Sequence, residues 1–254
     1  MTTSRSEDNP ALQPKAARKP ALRRAAKWDV RPVGAGHGVY GDDRPLRTPA
    51  GQPVEVASLP LAEAIADELR AQVGLKALDI TRLPNLRLTA TAIDQVAAAR
   101  EAHIDAIAAY GETELLCYRA EHPADLVERQ HEAWQPLLDW AALRFQAPLN
   151  NTPGVMPQRQ PAGSLAALRR AVAGYDDLML AALAVAVQSS GSLVVGLAMA
   201  EGRLNAEQAF TVAEFDESYQ IERWGEEPEA TLRRATRRVD LQQLSNFFRL
   251  INTV

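Results

Sequence analysis

The sequence predicts an α+β fold, in which a small strand-rich N-terminal domain is followed by an α-helical bundle. Between residues 28 and 56, short apolar runs alternate with glycines and prolines, a pattern typical of strands joined by turns. After about residue 160, apolar residues recur at three- and four-residue spacing, as they do on the buried face of a helix. We therefore divide the chain into a disordered basic leader at 1–27, a strand-rich α+β domain at 28–90 and a helical bundle domain at 91–254.

The first predicted elements are strands, turns and one capped helix. The segments Gly41-Asp42-Asp43 and 48–51 predict two turns on either side of a strand at 44–47, because glycine and aspartate tolerate turn conformations. Ser58 can accept a hydrogen bond from a helix N-terminus, and apolar residues follow it at four-residue spacing, so we predict a helix here. Its predicted buried residues are Leu61, Ile65 and Leu69.

The next part of the chain is predicted to change from extended to helical. Proline interrupts residues 80–88, which we predict to be extended, and an apolar-periodic run predicts a helix at about 89–110. Gly111 follows that run, at the position where a glycine commonly ends a helix. The predicted inward-facing residues of this helix are Ile93, Val96, Ile104 and Ile107.

Residues 110–145 hold the only cysteine and five of the fourteen aromatic residues, and we predict that the other elements pack around them. A helix is predicted to begin near Pro123. Pro136 lacks an amide proton and crowds the preceding turn, so this helix should kink or restart there. We expect the bend to point Trp134 and Trp140 towards neighbouring helices, as structural residues.

Beyond a proline-rich loop or hinge at 148–161, all remaining elements are predicted to be helical. Residues 178–200 carry no charge, but serines and a glycine at 189–192 interrupt their middle, which favours a buried helix pair over a membrane span. A capping residue, an acid in the first turn or a proline predicts the start of each helix. These signals are Ser164, Asp176 with Asp177, Asn205, whose helix should extend to about Trp224, and Pro228.

Composition and motifs argue against catalysis, cofactor binding and nucleic-acid binding. Residues 1–27 contain seven basic and two acidic residues, but the remaining 227 contain 21 basic and 30 acidic ones, which disfavours a phosphate-binding surface. Gly191 and Gly196 are not followed by the Lys and Ser/Thr of a phosphate-binding loop, and the four histidines lack zinc-site spacing. Cys117 is predicted to be a small buried residue. We therefore predict no catalytic, cofactor or metal site.

A polar cluster near the C-terminus is the candidate site. It comprises Asp216, Glu217, Gln220, Arg223 and Trp224. On a helix, Asp216 and Gln220 share a face with Arg223, whereas Glu217 lies beside Trp224. One interpretation is a solvated acidic face, and the other is a charged rim around an aromatic anchor, which is typical of a protein-binding surface. Arg223 is the one internal cation that we expect near these acids.

Several longer segments carry a family resemblance. They are YGETELLCYRAE (110–121), LVERQ (126–130), WQPLLDWA (134–141), RPLRTPAG (44–51), RLTATAID (87–94), SGSLVVGLAMAEGRL (190–204) and DESYQIERWG (216–225). Together they resemble the family of assembly chaperones for the α subunit of ATP synthase. The resemblance implies an orthogonal arrangement of the helical bundle. It also implies a protein that binds the α subunit of the catalytic head and shields its subunit interface until the β subunit replaces it.

The resemblance thus implies that the partner is the ATP synthase α subunit and that the five residues of the polar cluster bind it. The residues themselves predict a soluble chain without cofactors, membrane insertion or nucleic-acid binding, and the single cysteine predicts a reducing, cytosol-like compartment. We predict a monomer in the bacterial cytoplasm or, alternatively, the mitochondrial matrix. The alternative function is a small-molecule enzyme that uses Asp216 and Glu217 for carboxylate acid/base chemistry. Adjacent helical residues diverge by about 100°, which disfavours this alternative.

Overall fold

This computed structural model describes residues 25–75, 78–154, 156, 158–225 and 227–252, and it has the α+β architecture that the sequence predicts. Four short strands come first in this part of the chain, and helices follow from residue 59 onwards. Most of the predicted leader, 1–27, lies outside the described residues. The last residues of that segment are attached to the turn at 41–43, because the backbone amides of Ala26 and Lys27 donate to the Asp42 carboxylate at 3.0–3.1 Å.

The N-terminal sheet is built on one antiparallel hairpin. Its strands are β1 (Trp28–Val33), β2 (Gly36–Gly41), β3 (Arg44–Pro45) and β4 (Glu55–Val56). All six residues of β1 pair with β2, which also pairs with β3 and β4. Asp42 and Asp43 have positive φ angles of 47° and 64°, which confirms the predicted turn between β2 and β3. The predicted strand at 44–47 is shorter than expected, since only an isolated bridge at Arg47 continues beyond β3.

Helix α1 (Leu59–Arg70) confirms the predicted cap and buried face. The Ser58 hydroxyl accepts from the Leu61 amide at 3.2 Å and donates to the Leu250 carbonyl at 2.6 Å, so it also joins the N-terminal region to the last helix. The three predicted core residues of α1 are fully buried. The division into domains at 28–90 and 91–254 stays a prediction.

The structure corrects the predictions for residues 80–110. Ile80–Arg82 forms a 3-10 turn and α2 (Pro84–Thr91) follows directly, so the segment is not extended. Pro84 is the first residue of α2, a position where its missing amide proton costs nothing. The predicted single helix is divided, because a π-helix at Ala92–Val96 separates α2 from α3 (Arg100–Ala108).

The π-helix has a specific attachment to the N-terminal sheet region. The Asp94 carboxylate in this turn accepts from the Thr48 hydroxyl at 2.6 Å and from the Ala50 amide at 2.9 Å. These contacts favour the π-helical turn over an α-helical one, since they hold Asp94 against the loop that precedes β4. Gly111 is also not a C-cap: it lies buried in a 3-10 turn at Ala109–Thr113, where a Cβ would sit 3.3 Å from the Leu165 side chain.

Helix α4 (Ala124–Phe145) begins where the sequence predicts and runs without interruption through Pro136, so it does not restart there, and a kink at Pro136 stays a prediction. Pro136 and Glu132 are both exposed, and water can therefore satisfy the carbonyl that loses its amide partner. Before α4, β5 (Tyr118–Arg119) pairs in parallel with β6 (Thr152–Pro153), which lies in the predicted loop at 148–161. Trp134 is fully buried and Trp140 is half-buried.

The C-terminal helices follow most of the predicted start signals. They are α5 (Ala162–Ala173), α6 (Asp177–Ser190), α7 (Leu193–Ala200), α8 (Ala206–Ala213), α9 (Phe215–Trp224) and α10 (Pro228–Asn252). Asp176 and Asn205 cap α6 and α8 as predicted. Ser164 does not cap α5, because its hydroxyl donates to the Pro148 carbonyl at 2.5 Å. The helix predicted from Asn205 to Trp224 is two helices, α8 and α9, with Glu214 between them.

The uncharged segment at 178–200 is a buried helix pair, as predicted. Gly191 adopts a left-handed conformation (φ 72°) between α6 and α7, and every residue of α7 is buried. Gly196 allows the two helices to approach closely, because a Cβ there would lie 2.5 Å from Cγ2 of Val187. Within the part of the chain that the structure describes, no helix is both long and apolar enough to cross a bilayer.

Candidate functional site

A cleft of about 430 Å³ opens between α9, the first turns of α4 and the strand β5. We call it the α9 cleft. Its walls combine apolar and aromatic side chains with a few polar groups, as protein-binding and ligand-binding surfaces commonly do. The residues that line it are Tyr118, Arg119, Ala120, His122, Pro123, Leu126, Gln130, Gly154, Asp216, Tyr219, Gln220 and Trp224.

The spacing of α9 divides the five predicted site residues between two directions. Asp216, Gln220 and Trp224 lie four residues apart, on one face of the helix, and all three line the cleft. Trp224 ends α9 with 76% of its surface exposed. Glu217 and Arg223 are not among the cleft-lining residues. The structure therefore groups Trp224 with Asp216, and not with Glu217 as the sequence analysis expected.

Asp216 is held in the cleft by an amide and not by a cation. Its Oδ1 atom accepts from Nε2 of Gln130 at 2.7 Å, and within the described residues it forms no ion pair. Gln130 is itself buried, with 2% of its surface exposed, and its Oε1 atom accepts from the Ala120 amide at 2.8 Å. The Asp216 side chain is thereby oriented, and we call its charge uncompensated because no cation of the described residues, including Arg119 in the same cleft, forms an ion pair with it.

Glu217 does have an internal cation, which the sequence analysis did not find. Its carboxylate lies 3.2 Å from Nη2 of Arg233 on α10. Arg223 also has a partner other than those expected, because it pairs with Asp125 on α4 at 2.5 Å. Both partners are distant in sequence, and no local pattern could have identified them.

Charged contacts fasten α9 to α4. Arg129 donates two hydrogen bonds to Glu222, at 2.8 and 3.0 Å, and these lower the pKa of Glu222. The hydroxyl of the buried Tyr219 donates to Asp125 at 3.0 Å. Partial burial raises the pKa of Asp125, but the hydrogen bonds from Tyr219 and Arg223 outweigh it, and the net shift is downward. Burial and the same contact raise the pKa of Tyr219.

Glu214 fixes the turn between α8 and α9 and was missed in the sequence. It is only 3% exposed and its carboxylate contacts Arg234 at 2.8 Å and also Arg237. Burial lowers the pKa of Arg237. The only sequence signal was an acid flanked by apolar residues at 212–215. Because arginines of α10 pair with the buried Glu214 between α8 and α9, the one predicted helix is divided at this residue.

Arg119 is a second residue that the sequence analysis missed. Its guanidinium donates to the Gln130 carbonyl at 2.9 Å and to Oε1 of Gln135 at 3.3 Å, and it lies 5.4 Å from the centre of the Trp134 ring. Its Nε atom is buried without a hydrogen-bond partner. Desolvation lowers the pKa of Arg119. These contacts tie the strand β5 to α4 on the inner side of the cleft.

The described residues contain no group of three or more His, Cys, Asp or Glu side chains arranged to hold a metal ion. Cys117 is buried, as predicted, and burial raises its pKa to about 12, which disfavours thiolate chemistry. Asp216 and Glu217 contact different helices, Gln130 of α4 and Arg233 of α10, so the two carboxylates do not converge on one point. The arrangement is suited to binding more than to acid/base catalysis.

Comparison with known proteins identifies relatives of this chain. The sequence profile described as ATP12 chaperone protein matches residues 25–142. The crystal structure of Atp12 from Paracoccus denitrificans is 39% identical, with a TM-score of 0.86, and the match covers 91% of this chain and 99% of that one. A point mutant of P. denitrificans Atp12p is 38% identical, also with a TM-score of 0.86, covering 91% and 98% of the two chains. The Atu1473 protein from Agrobacterium tumefaciens is 36% identical, with a TM-score of 0.84, covering 90% and 85%.

Proposed function

The chain belongs to the ATP12 chaperone family, and on that premise we propose that it is an assembly chaperone for ATP synthase. In this proposal it binds the α subunit of the catalytic head and shields its subunit interface until the β subunit replaces it. A chaperone of this kind needs a complementary surface and no catalytic group. It works as a monomer without cofactors in the bacterial cytoplasm, with the mitochondrial matrix as the alternative compartment.

The observation that carries the proposal is the α9 cleft. An uncompensated carboxylate, Asp216, and a largely exposed indole, Trp224, lie on the same face of one helix beside an apolar opening. An exposed aromatic residue next to a charge is the composition of a binding hot spot. We propose that Asp216, Gln220 and Trp224 contact the α subunit directly, and that Glu217 and Arg223 complete the binding surface at its edges.

Charge removal at Asp216 tests the site. Asp216→Asn keeps an oxygen that can accept from Gln130 but removes the negative charge. If Asp216 meets a basic side chain of the partner in a desolvated contact, affinity should fall by about 2 kcal/mol or more, or about 30-fold. The fold should be retained, because Asp216 is exposed and forms no ion pair in the described part of the chain. Binding is measured by titration calorimetry with purified α subunit.

The matched control is Asp105→Asn on α3. Asp105 is also an exposed helical acid, with 62% of its side chain accessible, and it pairs with Arg169 on α5, outside the α9 cleft. This variant should bind the α subunit like the unmodified chain. Equal affinity of the Asp216→Asn variant and the control would remove Asp216 from the site, and absence of binding by the unmodified chain would refute the proposed function itself.

The small-molecule enzyme is not favoured by any specific observation. Acid/base catalysis by Asp216 and Glu217 would require both carboxylates to reach one substrate. Glu217 instead faces Arg233 at 3.2 Å, outside the α9 cleft.

A further inference from the structure

The acids around α9 differ in one respect, which is whether a cation neutralises them. Glu217 pairs with Arg233, Glu222 with Arg129, and the buried Glu214 with two arginines of α10. Asp216 is the member of this group that has no cation among the described residues. It is also the member whose side chain lines the cleft.

The partner of Asp216 is a neutral amide with a fixed orientation. The Ala120 amide proton must be accepted by Oε1 of Gln130, so the NH₂ group of the same side chain has to face Asp216. Gln130 is 2% exposed, and burial prevents it from turning to water. A glutamine is therefore able to satisfy a backbone donor on one side and a carboxylate on the other, without adding a charge to either.

We propose that Gln130 is a positioning residue, which holds the Asp216 carboxylate in the α9 cleft, uncompensated, to receive one basic side chain of the partner. This inference rests on the proposed function and extends it to a residue that does not itself touch the partner. The Trp224 indole at the mouth of the cleft suits the same ligand, because arginine and lysine side chains stack on aromatic faces. A lysine or arginine on the α subunit is thus the chemistry that the cleft recognises.

Gln130→Glu tests the proposal through pH. The introduced carboxyl still accepts from the Ala120 amide, but it places a second carboxylate beside Asp216, where the native contact is 2.7 Å. Like charges at that distance raise the pKa of the introduced carboxyl group. Above that pKa the two groups repel each other and Asp216 is displaced. Below it the neutral carboxyl donates to Asp216 as the native amide does.

We therefore expect the affinity of the Gln130→Glu variant for purified α subunit to be at least about tenfold below that of the native chain at pH 8. At pH 5.5 it should recover to within about threefold of the native chain measured at the same pH. Referring each value to the native chain removes the effect of the other ionisable groups around the pair. Those groups are Arg119, His122, Tyr118 and Tyr219 in the cleft, with Asp125 and Arg223 behind Tyr219.

The chain offers a control of the same kind away from the cleft. Nε2 of Gln242 on α10 donates to the Glu207 carboxylate on α8 at 3.2 Å, so Gln242→Glu creates a carboxylate pair outside the α9 cleft. Its affinity should follow the native chain at both pH values. If Gln130→Glu binds like the native chain at pH 8, or does not recover at pH 5.5 while melting normally, the positioning role is refuted.

A charge swap covers the case in which Gln130→Glu folds poorly. In the double variant Gln130→Glu, Asp216→Asn, the asparagine amide can donate to the introduced carboxylate, so net charge and hydrogen bonding are kept while the charge leaves the cleft. This variant should melt like the native chain and bind at least about tenfold more weakly. Native affinity of the swapped variant would overturn the inference. If the double variant binds with native affinity but Asp216→Asn alone binds more weakly, only the role of Gln130 is refuted, and the proposed function is still supported.

Discussion

Trp134 is buried and Trp224 is largely exposed, so replacing each of them by alanine separates an effect on folding from an effect on binding. Trp134 is 1% exposed, its Nε1 atom donates to the Val212 carbonyl at 3.1 Å, and its ring meets Phe215 edge-on at 5.7 Å. Trp224 is 76% exposed. The first substitution should therefore destabilise the fold, and the second should weaken partner binding.

The magnitude follows from burial. Truncating a fully buried tryptophan costs about 3–5 kcal/mol, which includes the cavity that remains. In a chain of this size, each kcal/mol lowers the melting temperature by about 2–4 °C, so Trp134→Ala should lower Tm by about 10 °C. Trp224→Ala should change the free energy of unfolding by no more than about 0.5 kcal/mol, because most of its surface is already in water.

The assay combines thermal melting, followed by circular dichroism, with α-subunit binding expressed per folded molecule. Trp134→Phe is the graded control: it keeps a ring against Phe215 but leaves the Val212 carbonyl without its donor, and should lose about 1–2 kcal/mol. An unchanged Tm for Trp134→Ala would refute the structural assignment. A Tm loss for Trp224→Ala as large as that for Trp134→Ala would show that the exposed indole supports the fold.

Two further predictions concern packing and pH. Gly196→Ala should destabilise the fold by about 1–3 kcal/mol, measured by urea unfolding, because the new Cβ would lie 2.5 Å from Val187. Gly163→Ala in α5 is the control and should be neutral or stabilising, because there is open space around its new Cβ. Equal effects of the two substitutions would contradict the packing argument. The pKa values of Asp125 and Glu222 are lowered in the folded state, so the stability that these acids contribute is present above their unfolded pKa values near 4 and is lost as pH falls through the folded ones. The amide hydrogen-exchange rates of α9, corrected for intrinsic rates, should rise more than those of α8 when the pH falls below about 4. An equal rise in both helices would contradict the attachment of α9 by these acids.

Local signals in the sequence predicted most of the elements, because caps, turns and apolar periodicity act over a few residues. Ser58, Asp176 and Asn205 cap helices as predicted, and the turn at Asp42 and Asp43 forms between two strands. Predictions failed where a distant group competes with the local preference. Ser164 bonds the Pro148 carbonyl and does not cap a helix, and Glu214 interrupts a helical pattern because arginines of α10 neutralise it.

The sequence by itself determined the α+β class, the buried helix pair at 178–200, and a polar cluster beside Trp224 on one helix. Only the tertiary structure decided how that cluster is divided. Whether an acid is free to bind a partner depends on which cations lie within ion-pair distance of it, and those cations come from other helices. Arg233 of α10 pairs with Glu217, and Arg129 of α4 pairs with Glu222. Asp216 meets an amide from α4 instead, so its charge remains available in the cleft, since electrostatic compensation is set by distance in space and not by position along the chain.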